Sequence, residues 1–338
     1  MTVLHVGSVC GHGGVETFVA TLAREQRKAG IPAEVFFFRD LGGGSHYDGI
    51  CSVHFGGRSE LARIISSTRC DVLHTVTYVA EDVAAAVQTA RFRGAVVVTS
   101  HQCGEFESSL APDCLTAVSA AVAKSIQEHY PMPVRVVHNG VDVERFTPRL
   151  VPYDGKPIIA WVGRANDPMK DFPAVLALAN SPASARFLGI VVDGSPVDEE
   201  STIWLPPNFA VQRRLKWEDM PEFYRQVRSS HGFLLSTSSM EPFGLSVLEA
   251  MACGCPVIAP SSGGIPEFVV HKRTGYLYDR CDGVPGIEHA IDWLYEGEHY
   301  EQVSQAAAEH VAQHFSAAAM CRRYTDVYEE ALAARPAR

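Results

Sequence analysis

Glu241 and Glu249 are separated by seven residues in the stretch Glu241-Pro-Phe-Gly-Leu-Ser-Val-Leu-Glu249. The first glutamate lies in a turn with Pro and Gly, and the second lies in an apolar run with helical spacing. A glycine turn that opens a helix presents free backbone N–H groups and the positive end of the helix dipole, which suits a phosphate. A carboxylate further along the helix accepts hydrogen bonds from a vicinal diol such as ribose. The segment therefore indicates a nucleotide site, and Glu241 at its mouth indicates an attached polar group such as a sugar.

Two cations, Arg164 and Lys170, follow the apolar run Ile158–Val162, which is typical of a buried strand. An arginine fork and a lysine point charge beyond a strand end would suit a diphosphate. An ordinary solvated loop explains the same residues, so this stretch taken alone leaves both interpretations open.

A glycine-rich turn, Gly11-His-Gly-Gly14, stands between a predicted strand and a helix. Its geometry suits a phosphate, but the stretch taken alone favours a tight structural turn. It lacks the Gly-x-Gly-x-x-Gly spacing of a dinucleotide site, and Glu16 is too close to serve as the ribose acid of such a site.

Histidines also end several predicted strands, which is the functional end of a parallel sheet. His101 follows the run Val96–Ser100 and is the first candidate for bonding a sugar hydroxyl or moving a proton. A structural histidine is the alternative. His12, His74 and His138 are weaker candidates of the same kind.

Composition limits the class of protein. The 338 residues favour two domains, and 46% hydrophobic with 20% charged residues is typical of a globular chain. The net charge of −10 makes nucleic acid an unlikely main partner. The nine cysteines lack a Cys-x-x-Cys pair, which favours reduced thiols in the cytoplasm. No signal peptide or transmembrane run is predicted, so membrane association is not expected.

Short apolar runs alternate with amphipathic segments, which predicts an α/β fold with parallel sheets. Strands are predicted at Val3–Val6, Ala33–Phe38, Asp71–His74, Ala95–Ser100, Val134–His138, Ile158–Val162, Ala185–Val192, Asn208–Val211, Gly232–Ser236 and Pro256–Ala259. Helices are predicted after Gly11–Glu16 and at Ser59–Ser67, Glu81–Ala90, Ser119–His129, Phe172–Leu178, Glu218–Val227, Leu245–Cys253 and Tyr300–Leu332. The Pro- and Gly-rich stretch Thr147–Pro157 predicts a linker, hence domains at 1–148 and 149–315, with ligands bound in a cleft between two Rossmann-like domains.

Metal chemistry has little support in the sequence. No Asp-x-Asp pair occurs that would hold a divalent ion on phosphates, and no His/Cys set has zinc spacing. No cofactor or metal is therefore expected. The charge of a leaving diphosphate would be met by arginine, lysine and helix N-termini.

Taken in order, these motifs resemble glycosyltransferase family 4, the retaining nucleotide-sugar transferases of the GT-B fold. The resemblance covers almost the whole chain and is most specific in the two-glutamate stretch. Its other motifs are Gly13-Gly14-Val-Glu16, Thr99-Ser-His101, Val118-Ser119, His138-Asn-Gly-Val-Asp142 with Phe146, Gly163-Arg164 with Lys170, and Gly263-Gly264-x-Pro-Glu267.

The resemblance implies roles by position. Arg164 and Lys170 would bind the donor diphosphate, Glu249 the ribose diol, and Glu241 the hydroxyls of the donor sugar. His101 would lie beside the transferred sugar. The remaining implied contacts come from the backbone of Gly13, Gly14, Phe243, Gly244 and Leu245. The last helix, after about residue 316, would pack back on the N-terminal domain.

One departure concerns the nucleobase. The family usually has a glycine and then a residue whose backbone meets the base, and these positions fall on Arg213 and Leu215 here. The nucleobase is therefore left open. The loop-like region Leu41–Phe55 is expected to contribute to acceptor choice.

The resulting hypothesis is transfer of a sugar from a nucleotide diphosphate sugar to a hydroxyl of a small molecule or glycan. The resemblance implies retention, by a double displacement with Glu241 as nucleophile or by front-face attack assisted by the leaving phosphate. Three alternatives remain: a nicotinamide oxidoreductase, which the missing glycine fingerprint disfavours, a GT-B sugar-nucleotide epimerase, and a catalytically silent nucleotide-sugar-binding protein.

Overall fold

The computed structural model describes residues 1–11, 13–104, 109–195, 203–213 and 215–335. The chain forms two compact units. The first unit is Met1–Gly140 with Phe315–Arg338, and the second is Val141–His314. The boundary between the two units, at Gly140/Val141, therefore lies earlier in the chain than the 148/149 division that the sequence predicts.

The described residues of the first unit form a seven-stranded sheet in the order β3-β2-β1-β4-β5-β6-β7, and every pair is parallel. Its strands are β1 (Val3–Cys10), β2 (Ala33–Asp40), β3 (Val53–Phe55), β4 (Val72–Val76), β5 (Ala95–Ser100), β6 (Cys114–Ala117) and β7 (Val134–Val136). The helices between them are α1 (Gly14–Lys28), α2 (Arg58–Thr68), α3 (Ala80–Ala90) and α4 (Ala120–Gln127). All six residues of β5 are buried, as its continuous apolar run predicts.

The second unit has a six-stranded parallel sheet in its described residues, in the order β10-β9-β8-β11-β12-β13. Its strands are β8 (Ile158–Gly163), β9 (Leu188–Asp193), β10 (Phe209–Arg213), β11 (Phe233–Leu235), β12 (Val257–Pro260) and β13 (Tyr276–Tyr278). Its helices are α5 (Phe172–Ala179), α6 (Met220–Ser229), α7 (Leu245–Ala252), α8 (Gly283–Leu294) and α9 (His299–His314). Strand order reverses between β8 and β11, the place where open parallel sheets bind ligands.

The last helix, α10 (Ala317–Ala333), belongs to the first unit. Tyr324 and Tyr328 on this helix are fully buried. Their hydroxyls reach Thr99 Oγ1 at 3.2 Å and His74 Nδ1 at 2.7 Å, respectively. The C-terminal segment is therefore fastened to the first sheet by a buried polar network as well as by apolar packing.

The predicted helical tail Tyr300–Leu332 is confirmed as helical, and it consists of two helices with a break at Phe315 and Ser316. Ser316 stops the continuation by capping α10, its side chain accepting a hydrogen bond from the Ala319 N–H. The predicted loop Leu41–Phe55 also contains a 3₁₀ turn, Gly44–Tyr47, and the edge strand β3.

Candidate functional site

The loop after β8 carries the two predicted cations of the second unit. The Arg164 Nη2 atom lies 2.6 Å from Asp167 Oδ2, and the Arg164 side chain is 57% exposed. Asp167 also caps the short 3₁₀ turn Pro168–Lys170 by accepting the Met169 N–H at 3.0 Å. The loop is thus folded on itself, and its arginine is presented to solvent.

Lys170 and Glu241, which are 71 residues apart in sequence, form an ion pair of 2.6 Å between Nζ and Oε2. Both side chains are largely shielded, with exposed fractions of 23% and 13%. Ser238 adds a hydroxyl hydrogen bond of 3.1 Å to the same carboxylate oxygen. Thr237 Oγ1 donates to the Lys170 carbonyl at 2.7 Å and thereby ties the β8 loop to the segment after β11. The structure therefore brings the two predicted sites together. Lys170 lies in the loop after β8, and Glu241 lies in the segment after β11.

The backbone of Glu241 is fixed by the Gly263-Gly264 turn. The Gly264 N–H donates to the Glu241 carbonyl at 2.8 Å. Gly263 has a φ of +58°, and a Cβ built there would stand 2.1 Å from the same carbonyl oxygen. Only glycine fits both the left-handed backbone and this close approach. The turn that appears as a plain loop in the sequence is therefore a support for the predicted sugar-binding glutamate.

The N-terminus of α7 follows Glu241 directly. Gly244 is the N-cap residue with a φ of +105°, and no side chain caps the helix. Leu245 begins the helix, while Phe243 is buried against Phe268 with ring centroids 5.0 Å apart. The first N–H groups of a helix lack intrahelical partners, so this end offers donors and a positive dipole. The predicted donor-binding backbone has the geometry that an anion needs.

Glu249 lies one turn into the buried face of α7 and is 6% exposed. The Tyr224 hydroxyl on α6 donates to Glu249 Oε2 at 3.4 Å. Burial raises the pKa of Glu249 to about 7, while hydrogen bonds from the Trp217 and Tyr224 side chains and the charge of Arg145 lower it. The carboxyl group is therefore poised between its two protonation states near neutral pH.

Asp193, at the end of β9, is a central residue that sequence reasoning missed. It is 2% exposed, and Oδ1 accepts the Ala165 N–H at 3.1 Å, the Ser195 N–H at 3.0 Å and the Ser195 hydroxyl at 2.7 Å. Oδ2 pairs with Arg213 Nη1 at 2.9 Å. One carboxylate thus links the ends of β8, β9 and β10. The available signal was an acidic residue directly after an apolar strand, in an Asp-Gly turn.

The predicted nucleobase region lies beyond β10. Arg213 is the last residue of that strand, and Leu215 is half-buried; Arg214 between them is outside the described residues. The arginine at the expected glycine position is used structurally, because it is the cationic partner of Asp193.

In the first unit, the glycine turn opens α1. Gly13 is the N-cap residue with an extended backbone, and its carbonyl accepts the Thr17 N–H at 3.0 Å. Gly14 is the first helical residue, and no side chain caps this helix. A Cβ on Gly13 would stand 2.4 Å from Glu16 Oε2, so the carboxylate of Glu16 lies against the first turn of this helix.

His101 is buried at the end of β5, with its ring 4.6 Å from that of Phe18. Its Nε2 atom is buried and has no hydrogen-bond partner among the described residues. Burial lowers the pKa of His101 to about 3, so the imidazole is neutral at physiological pH. A buried, unpaired ring nitrogen is costly unless a ligand completes it. This favours the functional reading over the structural one.

The other candidate histidines differ from His101 in their surroundings. His74 is fully engaged, with Nε2 2.7 Å from Thr99 Oγ1 and Nδ1 2.7 Å from the Tyr328 hydroxyl. Its candidacy as a ligand-binding residue is therefore wrong, because one ring nitrogen is bonded to β5 and the other to α10. The His138 ring packs on Phe315 at 5.6 Å. His12 lies outside the described residues.

Within the described ranges, no group of three or more His, Cys, Asp or Glu side chains has the arrangement of a metal site. All nine cysteines are free thiols. None of the described helices is both long and apolar enough to cross a membrane.

Two family models match consecutive parts of the chain. The model of Glycosyltransferase Family 4 matches residues 12–145, and that of Glycosyl transferases group 1 matches residues 143–310. Together they include every predicted site residue, from Gly13 to Glu249.

Curated relatives agree with these models. A D-inositol 3-phosphate glycosyltransferase of Corynebacterium efficiens is 30% identical over 247 residues, which is 66% of this chain and 57% of that protein. An N-acetyl-alpha-D-glucosaminyl L-malate synthase of Bacillus anthracis is 31% identical over 128 residues, 38% of this chain and 34% of the relative. The chain thus matches between about a third and three fifths of the length of these relatives.

Solved structures match over nearly the full length. A glycosyltransferase from Rickettsia africae has a TM-score of 0.79 and 20% identity, covering 98% of both chains. Anabaena HepE, in complex with UDP-glucose, has a TM-score of 0.80 and 18% identity, covering 98% of this chain and 100% of HepE. These likenesses confirm the predicted GT-B fold with its two Rossmann-like parallel sheets.

Proposed function

Because the chain belongs to the group 1, family 4 glycosyltransferases, we propose that it transfers a hexosyl group from a nucleotide diphosphate sugar to a hydroxyl acceptor, with retention of configuration. The observation that carries this proposal is the contact of Lys170 with Glu241 directly before the uncapped N-terminus of α7. That arrangement sets a cation, a carboxylate and free N–H donors at the switch point of a parallel sheet. The UDP-glucose bound to the structurally similar HepE supports a donor of this class.

The donor would be held mainly by charge and backbone. An ammonium group has three N–H donors, so Lys170 can keep its bond to Glu241 and still meet a phosphate oxygen. Arg164, exposed and folded back on Asp167, would supply the second cation. Glu249 would accept the ribose hydroxyls. The remaining contacts fall to the backbone of Phe243, Gly244, Leu245 and Leu215.

The reaction would break the bond between the anomeric carbon and the diphosphate oxygen and form a bond from that carbon to the acceptor oxygen. Glu241 is ion-paired to Lys170 and hydrogen-bonded to Ser238, which reduces its nucleophilicity. This favours front-face attack, in which the departing phosphate oxygen takes the acceptor proton. Catalysis would then rest on positioning and on stabilising the negative charge of the leaving group.

In the first unit, His101 would hydrogen-bond a substrate hydroxyl through its unpaired Nε2 as a neutral imidazole. The N–H groups at Gly13 and Gly14 would add donors at the start of α1. The acceptor is proposed to be a small molecule or glycoside, since the relatives are named for D-inositol 3-phosphate and L-malate.

The first experiment identifies the donor. Thermal shift and calorimetry with UDP-glucose, GDP-glucose and ADP-glucose should reveal one preferred donor. Product analysis should then show slow hydrolysis of that donor and transfer of its sugar to an added hydroxyl acceptor. Binding without turnover would indicate a silent binder, and release of an epimerised sugar would indicate an epimerase. Absence of binding to every nucleotide sugar would refute the proposal.

The second experiment tests the cations. Lys170→Met should lower turnover about 10²–10³-fold, the usual effect of removing one donor from developing charge. Arg164→Met should act in the same direction. Lys156→Met is the matched control, because Lys156 is a lysine that precedes β8 and so lies at the opposite end of the same strand from Arg164, with its Nζ bonded to the Ala185 carbonyl. Unchanged hydrolysis and transfer in both Lys170→Met and Arg164→Met would refute the diphosphate assignment.

A further inference from the structure

Glu249 is a buried carboxyl group whose oxygen is held by a neighbouring helix. Its side chain is 6% exposed, and Tyr224 beside it is fully buried. The Tyr224 hydroxyl donates to Glu249 Oε2 at 3.4 Å, and this bond joins α6 to α7. A buried hydroxyl aimed at one oxygen of a carboxylate orients that group and leaves the other oxygen to a further donor.

Other elements face the same carboxyl group. The 3₁₀ turn Trp217–Asp219 contributes the Trp217 indole, which lowers the pKa of Glu249. Arg145 acts on Glu249 through its charge, but its guanidinium stacks 3.7 Å above the Trp217 ring and donates to the Trp217 carbonyl at 3.1 Å. Cys253, the C-cap residue of α7 one turn later, interacts with the Glu249 charge.

These surroundings act on the ionisation of Glu249 in opposite directions. Burial disfavours the ionised carboxylate, whereas the two aromatic donors and Arg145 favour it, and the outcome is a pKa of Glu249 raised to about 7. Burial and the Glu249 charge raise the pKa of Tyr224, so its hydroxyl stays protonated and remains a donor. The pKa of Cys253 is also raised by burial, which keeps this thiol neutral.

We propose that Tyr224 and Trp217 are positioning residues for Glu249, and that nucleotide-sugar binding is coupled through them to the loss of one proton from this carboxyl group. The inference rests on the proposed function, in which Glu249 receives the ribose diol. Ribose hydroxyls donate to a carboxylate, and a protonated carboxyl group offers them a weaker acceptor. The ligand therefore binds the ionised form more tightly.

The coupling predicts a definite pH dependence. Affinity should rise with pH and level off above the pKa of Glu249 in the free protein. For a pKa near 7, and a bound form that stays ionised, the dissociation constant should be about tenfold larger at pH 6 than at pH 8. The diphosphate of a nucleotide sugar does not titrate in this range, and Glu249→Gln provides the baseline for any other group of ligand or protein that does.

The test is calorimetric titration from pH 6 to pH 9 with the nucleotide sugar that binds most tightly in the donor panel. Tyr224→Phe removes a bond that favours the ionised carboxylate, so the midpoint of the affinity profile should move to higher pH, with near wild-type affinity at pH 9. Trp217→Phe should shift it in the same direction. Glu249→Gln should bind weakly and without pH dependence.

Tyr300→Phe is the matched control. Tyr300 is also a buried tyrosine of the second unit, and its hydroxyl lies 2.7 Å from the Gly232 carbonyl and 3.2 Å from the Arg228 carbonyl rather than near Glu249. Tyr300→Phe therefore loses at least as much hydrogen bonding as Tyr224→Phe and should leave the midpoint unchanged. An equal shift in Tyr300→Phe would mean that general loosening, not positioning, moves the profile, and would overturn the inference.

The remaining outcomes separate the two proposals. A flat wild-type profile together with weak binding by Glu249→Gln would overturn the proton coupling and leave the ribose role intact. Wild-type affinity of Glu249→Gln at pH 8 would instead overturn the ribose role itself. A midpoint unmoved in both Tyr224→Phe and Trp217→Phe would overturn their positioning role.

Discussion

Asp193 gives the sharpest test of how the second unit supports its site. Its carboxylate receives three hydrogen bonds on Oδ1 and the Arg213 ion pair on Oδ2. Asp193→Asn leaves a single acceptor oxygen, so the amide must give up either the Arg213 bond or those from Ala165 and Ser195. Breaking one side of a fully buried ion pair costs about 3–5 kcal/mol. Because Arg213 keeps 29% of its side chain exposed, we expect about 2–3 kcal/mol.

The assay is urea denaturation of Asp193→Asn, Arg213→Met and the double variant. Arg213→Met leaves a buried carboxylate without its cation and should cost a similar amount. The double variant removes both charges, so its loss of stability should be smaller than the sum of the two single losses by about 2 kcal/mol. Simple addition of the single effects, or a loss below about 0.5 kcal/mol in Asp193→Asn, would refute the reasoning.

The same carboxylate also positions the cation loop, which provides a second readout. The Ala165 N–H bonded to Asp193 directly follows Arg164. Asp193→Ala frees this N–H, and donor affinity should fall about tenfold. Asp193→Ser, whose shorter hydroxyl reaches less far, should recover little. Donor affinity at the wild-type level in folded Asp193→Ala would show that the loop is held by its other contacts.

Two further predictions concern the Gly263 turn of the second unit and the protonation of two buried histidines of the first unit. Gly263→Ala should destabilise the second unit by about 2–4 kcal/mol and weaken donor binding, because its Cβ collides with the Glu241 carbonyl. Gly297→Ala has a similar positive φ but open space around it, so it should cost only about 1 kcal/mol and spare the donor; equal effects would contradict the contact argument. Burial lowers the pKa of His5 to about 4 and that of His101 to about 3, so the unfolded chain binds more protons below pH 6.5. Each histidine should therefore cost about 1.4 kcal/mol of stability per pH unit from about pH 6 downwards, whereas Glu249, whose pKa is raised to about 7, acts in the opposite direction over the same range. The measurement is the urea midpoint of wild type and His5→Asn between pH 7 and pH 5, and an equal pH dependence in the two proteins would exclude this linkage.

The sequence predicts those elements best whose apolar runs are long enough to bury a strand on both faces. The bounds of β5 agree fully with the predicted Ala95–Ser100, α2 is one residue longer than predicted at each end, and α3 is one residue longer at its start. The strands that were missed, β3, β6 and β13, have three or four residues each. So short a run carries little periodicity, and the equally short β7 and β11 were predicted only as parts of the longer runs Val134–His138 and Gly232–Ser236. Their place is fixed by pairing with longer neighbours.

Prediction of the site succeeded where the signal lies within one short stretch of sequence and failed where it depends on contacts between distant stretches. The spacing of Glu241 and Glu249 is local, and it indicated a glycine turn opening a helix, which the structure has at Gly244 and α7. The contact between Lys170 and Glu241 depends on bringing the ends of β8 and β11 together, and no spacing within either motif encodes it. The support from Gly263 is likewise a contact across loops.

Arg213 illustrates why a departure from a family pattern is informative once the fold is known. In sequence it appeared as an arginine in place of a glycine, with consequences only for the nucleobase. In the structure its guanidinium neutralises Asp193, a buried carboxylate that sequence reasoning had not singled out. The unexpected cation and the missed anion are one feature, since each would be costly at this position without the other. A glycine at 213 would leave Asp193 with only the N–H and hydroxyl donors of Ala165 and Ser195. The ends of β9 and β10 therefore carry one ion pair, Asp193 with Arg213. The sequence alone does not show that these two residues, which lie on different strands, come into contact.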